Sequence, residues 1–294
     1  MRLVRPAALG ALLAAAGCAG LTPAGRAADP RSEPSLPTGL DIVDHPYPRL
    51  RYAPFPGRVP PTPLPVDEIV QGKLGSCFFL SALAAVETAR PGLTSGELRS
   101  AGDGAYVVTL YGRDGRPRAV AVDDRFPADA KGGQYLARGL VPGEIRPALF
   151  EKAFAKLRGG YHAIDGGDAS DALRALTGAA ARDYDPRKLT PDAAWSLLSG
   201  AVRDRLPVEA GTPEFAELKR RTGRDDLAGL IDDHDYAVVG LAGEGAGRVV
   251  RLYTPLTPRD GGDAPLDARR LDLPLADFLR DFDGITVGAF PRRP

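Results

Sequence analysis

The sequence predicts an α+β protein in which helices alternate with antiparallel hairpins. An almost unbroken apolar run from Phe78 to Val86, rich in alanine and leucine, is typical of a buried helix. Two later pairs of alternating apolar segments flank glycine-containing turns, which is the pattern of β-hairpins. The chain has 294 residues, of which 44% are hydrophobic and 26% charged, so it can form one large domain or two small ones.

The charge balance excludes one broad class of function. Lysine and arginine together number 38, and aspartate and glutamate also number 38, so the formal net charge is zero. A nucleic-acid-binding protein normally needs a basic excess to neutralise phosphates. We therefore expect no nucleic-acid partner.

The N-terminus has the pattern of an export signal. Arg2 and Arg5 precede an apolar run over residues 7–16, which is too short to span a bilayer but suits a secretory signal. The run ends in Ala-Ala-Gly-Cys, which resembles a bacterial lipoprotein box in which Cys18 is lipidated. Ordinary signal cleavage further on, for example after Ala27, is the alternative. The lipoprotein interpretation predicts a signal peptide over residues 1–17 and an exported protein anchored to a membrane of the bacterial cell envelope.

A proline-rich segment follows the signal. Its composition, without a sustained apolar period, predicts a tether that includes the lipidated cysteine and spans residues 18–58. We expect two folded parts beyond it, residues 59–182 and residues 183–294. The break between them is expected near Gly178 to Pro186.

The first folded part continues from the apolar helix into a hairpin and two further helices. Segments 106–110 and 119–122 flank Asp114-Gly115, a strong turn signal, and predict the hairpin. Helices are expected over residues 149–157 and 170–176, with glycine pairs between them.

The second part begins with a helix over residues 193–203. Two strands, over residues 236–241 and 248–253, are joined by a loop with three glycines and should pair antiparallel. A short helix and a closing strand are expected within residues 275–287.

Cys77 is the first candidate for chemistry. The chain has two cysteines, and Cys18 is either lipidated or lost with the signal, so Cys77 is an unpaired thiol in an exported protein. Ser76 is a suitable N-cap and places Cys77 in the first helical turn, where backbone N–H groups and the helix dipole should lower the pKa of the thiol. A small buried cysteine at a helix start is the alternative.

Gln71 and His234 are the candidates to act with this thiol. Gln71 precedes Cys77 by a glycine-containing turn, so its amide could donate to an oxyanion together with the Cys77 backbone N–H. Of the three histidines, His45 lies in the tether and His162 beside a glycine loop. His234 opens the first strand of the second hairpin, and antiparallel pairing should bring Thr254 beside it, in the position of a residue that orients the imidazole.

These residues carry a resemblance to the calpain family of papain-like cysteine proteases. The segment from Gln71 to Leu80, Gln-Gly-Lys-Leu-Gly-Ser-Cys-Phe-Phe-Leu, is similar to the nucleophile segment of that family. Further similar blocks follow in the family's order over residues 66–290, namely 121–127, 149–157, 166–178, 234–238, 251–255 and 278–283. The resemblance implies a papain-like core of two subdomains, a helical one with the cysteine helix and a β-rich one with the histidine hairpin.

The resemblance also implies roles for individual residues. Gln71 matches the oxyanion-hole glutamine, Cys77 the nucleophile and His234 the general base. Thr254 stands where the family has an asparagine that orients the histidine, and the chain contains no asparagine. Leu256 stands where a tryptophan would shield that contact, and Asp260 or Asp263 from the following loop could substitute for the missing asparagine.

The predicted function is a membrane-tethered cysteine endopeptidase that acts on protein or peptide substrates. The replacement of the asparagine by Thr254 supports an alternative, a catalytically impaired protease-like module that binds peptides. Acyl transfer from the same thiol to an amine is a third possibility. No cofactor is expected with certainty; the resemblance makes calcium a candidate ligand, but no acidic pair forms an EF-hand pattern and no metal-ligating residue is predicted.

Overall fold

The computed structural model describes residues 29, 31–41, 45–224, 229–256 and 269–291. The predicted signal peptide 1–17 and Cys18, as well as Asp260 and Asp263, lie outside the described residues. None of the helices in the described part of the chain has both the length and the apolar character needed to cross a membrane.

Helices and strands are mixed along the chain. The α-helices of the described residues are α1 (Cys77–Ala89), α2 (Leu93–Gly96), α3 (Arg146–Arg158), α4 (Ala169–Thr177), α5 (Pro191–Arg203), α6 (Phe215–Thr222) and α7 (Leu275–Asp281). The strands are β1 (Arg51–Pro54), β2 (Leu98–Gly102), β3 (Ala105–Tyr111), β4 (Pro117–Asp123), β5 (Arg125–Ala128), β6 (Arg182–Tyr184), β7 (Val208–Gly211), β8 (Asp235–Ala242), β9 (Val249–Tyr253), β10 (Arg270–Pro274) and β11 (Gly284–Val287).

The first core forms where α1, α3 and α4 meet the antiparallel sheet β2-β3-β4. The apolar run predicted to be a buried helix is α1, and ten of its side chains are buried. Phe79 of α1 stacks on Phe154 of α3 with 4.2 Å between ring centroids, which fixes the two helices against each other. The predicted first hairpin is confirmed, with Tyr106 opposite Val122 in the β3–β4 register.

The second core lies on one face of a six-stranded sheet of order β10-β9-β8-β7-β11-β6. Tyr236 and Val238 of β8 enter this core together with Phe278 and Phe282. The predicted second hairpin is confirmed as β8 and β9, with Ala237 opposite Tyr253.

The opposite face of the six-stranded sheet lies against α1. Side chains alternate along a strand, so Ala237 points away from Tyr236, and it belongs to the first core. The Ser81 hydroxyl, one turn after Cys77, donates to the Asp235 carbonyl at 2.7 Å. The start of α1 and the start of β8 are therefore held side by side.

Among the described residues, the structure has six short strands where the sequence predicted none, namely β1, β2, β5, β6, β7 and β10. β6 falls within the predicted break at 178–186 and pairs with β11, and β1 falls within the predicted tether 18–58 and pairs with β5. Tyr52 of β1 also covers the ammonium of Lys152 at 5.0 Å. Strands of three to five residues contain too few alternations to be separated from a polar or proline-rich loop.

Candidate active site

Cys77 is the first residue of α1 and is partly exposed. The loop before it requires a glycine at position 72, since a Cβ there would lie 2.3 Å from the Tyr135 carbonyl oxygen. Gly75 donates its N–H to Asp165 Oδ1 at 2.8 Å, and its carbonyl accepts from the Gly166 N–H at 2.7 Å. The approach to the thiol is thus fixed by backbone contacts.

Ser76 occupies the N-cap position of α1, as the sequence suggested, but its side chain makes no capping hydrogen bond. Its hydroxyl donates instead to Glu151 Oε1 at 2.6 Å, and Glu151 Oε2 accepts the Ala137 N–H at 3.0 Å. Burial raises the pKa of the Glu151 carboxyl to about 7. The hydroxyl therefore anchors the start of α1 to α3.

The His234 ring is buried and held by Thr254. Nε2 lies 2.7 Å from Thr254 Oγ1. The threonine hydroxyl in turn donates to the Leu256 carbonyl at 2.9 Å, so its oxygen is left to accept the Nε2 hydrogen. This arrangement protonates Nε2 and leaves Nδ1 as the basic nitrogen of the ring.

Further contacts restrict the imidazole. The His234 backbone N–H donates to Thr212 Oγ1 at 3.1 Å, and the His234 ring packs edge to face against Tyr236 with 5.1 Å between ring centroids. Thr254, although shorter than the asparagine implied by the resemblance, reaches the His234 ring at 2.7 Å.

Gln71 is buried beside the same segment. Its Nε2 donates to the Leu74 carbonyl at 2.6 Å, and its backbone N–H donates to the Pro255 carbonyl at 3.0 Å. An amide nitrogen carries two hydrogens, so one remains for a second acceptor. The Oε1 atom has no hydrogen-bond partner within the described part of the chain.

The electrostatic surroundings keep the thiol and the imidazole neutral. Burial raises the pKa of Cys77 to about 12, and the Asp235 and Glu209 carboxylates add to the rise, against backbone N–H groups of Asp235 and Phe78 that lower it. Burial lowers the pKa of His234 to about 3. The lowered thiol pKa predicted from the helix start is wrong for this structure, because desolvation and nearby carboxylates outweigh the helix terminus.

Two acidic residues near the thiol were not predicted as part of the site. Asp235 falls within the similar block 234–238 but was given no role, and Glu209 of β7 was not singled out. Both carboxylates act on the Cys77 thiol. Glu209 lies in a four-residue strand whose pattern, Val-Glu-Ala-Gly, is typical of a half-exposed strand with its charge in solvent, yet its side chain is fully buried.

The acidic pairs at residues 123–124 and 232–233 lie within the described part of the chain, and one carboxylate of each is engaged by another group. Asp123 is paired with Lys152 at 2.6 Å, Asp232 accepts the Phe215 N–H, and residues 225–226 lie outside the described chain. Within the described residues, no three His, Cys, Asp or Glu side chains converge to hold a metal ion. No step of the chemistry is assigned to a metal.

A cysteine protease uses a thiol, an imidazole base and oxyanion donors, and this chain supplies a thiol at a helix start, an imidazole held by a threonine and a buried glutamine amide. The family model of the calpain family of cysteine proteases matches residues 63–259. The chain belongs to this family.

Curated relatives agree with the assignment. The chain is 30% identical over 196 residues to a calpain-type cysteine protease, ADL1, of Oryza sativa subsp. japonica, which covers 64% of this chain and 9% of the relative. It is 31% identical over 180 residues to calpain-9 of Mus musculus, covering 59% and 25%. It is 32% identical over 187 residues to calpain-5 of Caenorhabditis elegans, covering 58% and 28%. The matched region is thus a minor part of each of these relatives.

Proposed function

We propose that this chain is a cysteine endopeptidase with a papain-like cleft between a helical and a β-rich subdomain. The observation that carries the proposal is the 2.7 Å contact between His234 Nε2 and Thr254 Oγ1, because it directs the basic Nδ1 away from the threonine. The family membership and the names of the relatives support a peptide bond as the target.

In the proposed reaction, the Cys77 sulfur attacks the carbonyl carbon of a peptide bond as its proton passes to His234 Nδ1. The negative oxygen that forms is stabilised by the free amide hydrogen of Gln71 and by the Cys77 backbone N–H. The imidazolium then protonates the leaving amine, which yields a thioester. Water, deprotonated by the same imidazole, hydrolyses the thioester and restores the thiol.

The neutral resting pair shapes this mechanism. Because the thiol and the imidazole are both uncharged at rest, proton transfer accompanies attack and does not precede it. The Thr254 hydroxyl can accept the Nε2 hydrogen throughout, which stabilises the transient imidazolium inside a buried site.

The test is hydrolysis of an unstructured protein such as casein by the purified full chain, in a Cys18→Ala background that leaves one thiol. We expect Cys77→Ala and His234→Ala to abolish hydrolysis. His162→Ala, a change at an exposed histidine in the first folded part, is the matched control and should retain it. Unchanged hydrolysis by Cys77→Ala would refute the mechanism.

A peptide-binding module without turnover is the second candidate. Three observations favour it: Thr254 in the place of an asparagine, the raised pKa of the thiol and the lowered pKa of the imidazole. This candidate predicts saturable peptide binding without cleavage. Isothermal titration would measure the binding, and analysis of the peptide after incubation would show whether it is cleaved.

We also propose export and membrane anchoring through Cys18. The support is the sequence pattern of the first 18 residues. Incorporation of labelled palmitate into the protein in a bacterial host, lost in Cys18→Ser, would support the anchor. Signal cleavage after Ala27, detected by mass spectrometry of the secreted protein, would overturn it.

A further inference from the structure

Glu209 is a buried carboxyl group without a partner, and burial raises its pKa well above the usual range. Its side chain is fully buried, and neither carboxylate oxygen has a hydrogen-bond partner within the described residues. Its neighbours Val208 and Ala210 point into the second core. Glu209 therefore points to the opposite face of the sheet, where α1 and Cys77 lie. An ionised carboxylate would be costly to bury at such a place, so the resting protein favours the protonated form of Glu209.

A second carboxylate shares this face. Asp235 lies opposite Gly211 and Glu209 opposite Ala237 in the β7–β8 register, so both acidic side chains leave the same side of the sheet. Gly211 leaves room for Asp235, since a Cβ at residue 211 would lie 3.1 Å from Asp235 Oδ1. Asp235 is itself only partly exposed.

The third carboxylate lies at the surface. Asp168 caps the start of α4, is exposed, and acts electrostatically on both Glu209 and Asp235. The three carboxylates thus extend from the exposed Asp168 through Asp235 to the buried Glu209. Asp235 and Glu209 also act on the Cys77 thiol, which places this acidic pocket beside the reacting atom.

No cation of the described chain balances the pocket. Neither Glu209 nor Asp235 takes part in an ion pair within the described residues, and Asp233 and Asp283 add further negative charge near Asp235. Arg187 and Arg221 act on Asp283, not on Glu209. The described carboxylates do not converge as metal ligands would, which leaves an extended organic cation as the complementary group.

We propose, resting on the peptidase function above, that the acidic pocket of Glu209, Asp235 and Asp168 selects substrates with a lysine or arginine side chain within two residues of the scissile bond. Such a long flexible side chain would enter beside the exposed Asp168 and carry its cation towards the buried Glu209. A guanidinium can form paired hydrogen bonds with the unpartnered carboxylate there. The bound cation then favours the ionised form of Glu209.

The experiment compares peptides that carry arginine or citrulline, its neutral analogue of nearly equal shape, at each of the two positions on either side of the scissile bond. At one position, kcat/KM of the full chain should favour arginine by about 10- to 100-fold, the range of a charge-assisted hydrogen bond. Glu209→Gln should reduce this ratio at least about 10-fold. Glu244→Gln, the same change at an exposed glutamate of the β8–β9 loop, should keep the ratio.

A binding measurement separates failure of the pocket from failure of the peptidase. The same peptides should protect Cys77 from iodoacetamide in the Cys18→Ala chain, with arginine better than citrulline and the difference lost in Glu209→Gln. Equal cleavage or equal protection by the two peptides would overturn the pocket. Arginine-selective protection without cleavage would support the pocket and refute the peptidase, and neither protection nor cleavage would overturn both.

Discussion

Replacing Thr254 by valine tests the orientation of the catalytic imidazole. Valine has the shape of threonine but cannot accept the Nε2 hydrogen of His234. In the parent protein, His234 Nε2 lies 2.7 Å from Thr254 Oγ1. Both side chains are buried, so no solvent replaces the lost acceptor. An unsatisfied buried donor costs about 1 to 3 kcal/mol, and more when the ring is an imidazolium. We expect kcat to fall about 10- to 100-fold.

The loss should appear in kcat and leave KM nearly unchanged, because the contact acts on the imidazole and not on the peptide. The assay is steady-state hydrolysis of a fluorogenic peptide over a range of concentrations, with circular dichroism melting of each variant as a check on folding. Thr254→Ser keeps the hydroxyl and should restore most of kcat. It also separates the role of the hydroxyl from that of the methyl group, since serine can form the same hydroxyl contacts but lacks the methyl.

Two results would refute this reasoning. One is a valine variant with kcat within about twofold of the parent while Cys77→Ala is inactive; the imidazole would then be oriented by another group. The other is a serine variant as impaired as valine with the same melting temperature, which would place the effect in packing by the methyl group.

Three further predictions concern the surroundings of the thiol. In the resting protein, iodoacetamide should label Cys77 slowly at pH 7, and the rate should keep rising towards pH 11, because burial raises the pKa of the thiol to about 12; a plateau below pH 8 that His234→Ala removes would contradict this. Gln71→Ala should lower kcat about 100- to 1000-fold with little change in KM, as expected for loss of an oxyanion donor, and an effect confined to KM would assign Gln71 to substrate binding. Burial raises the pKa of Glu151 to about 7 from 4.5, so the folded state holds this proton more tightly than the unfolded state. The stability that this group contributes is full below pH 4.5 and falls by about 3 kcal/mol as pH rises through 7. Urea unfolding should show this loss in the parent and not in Glu151→Gln, and an equal pH dependence of the two proteins would contradict the reasoning.

Much of the fold could be predicted because its largest elements carry strong local patterns. The helix α1 is a long apolar run, and both predicted hairpins combine alternation with glycine turns, so local preference and tertiary packing agree. The sequence missed β1, β2, β5, β6, β7 and β10, because strands of three to five residues are held by their partner strands and not by their own pattern. The nearness of His234 and Thr254 followed from antiparallel register alone.

The electrostatics of the site could not be predicted, because burial is a property of the whole fold. The first helical turn at Cys77 indicates a stabilised thiolate, but the sequence does not show that the sulfur is desolvated or that Asp235 and Glu209 face it. Ser76 illustrates the same limit: its type and position suit a cap, while its hydroxyl binds Glu151, 75 residues further along the chain. Contacts between distant segments decide both cases.

The acidic pocket and the neutral resting pair bear on each other. Asp235 and Glu209 raise the pKa of the Cys77 thiol, so they hold the nucleophile in its unreactive form while the pocket contains no cation. A lysine or arginine side chain bound between them would offset both charges at the moment when a peptide carbonyl reaches the sulfur. Burial, the larger cause, would remain, and proton transfer to His234 would still accompany attack. Substrate charge would then serve selectivity and activation through the same two carboxylates.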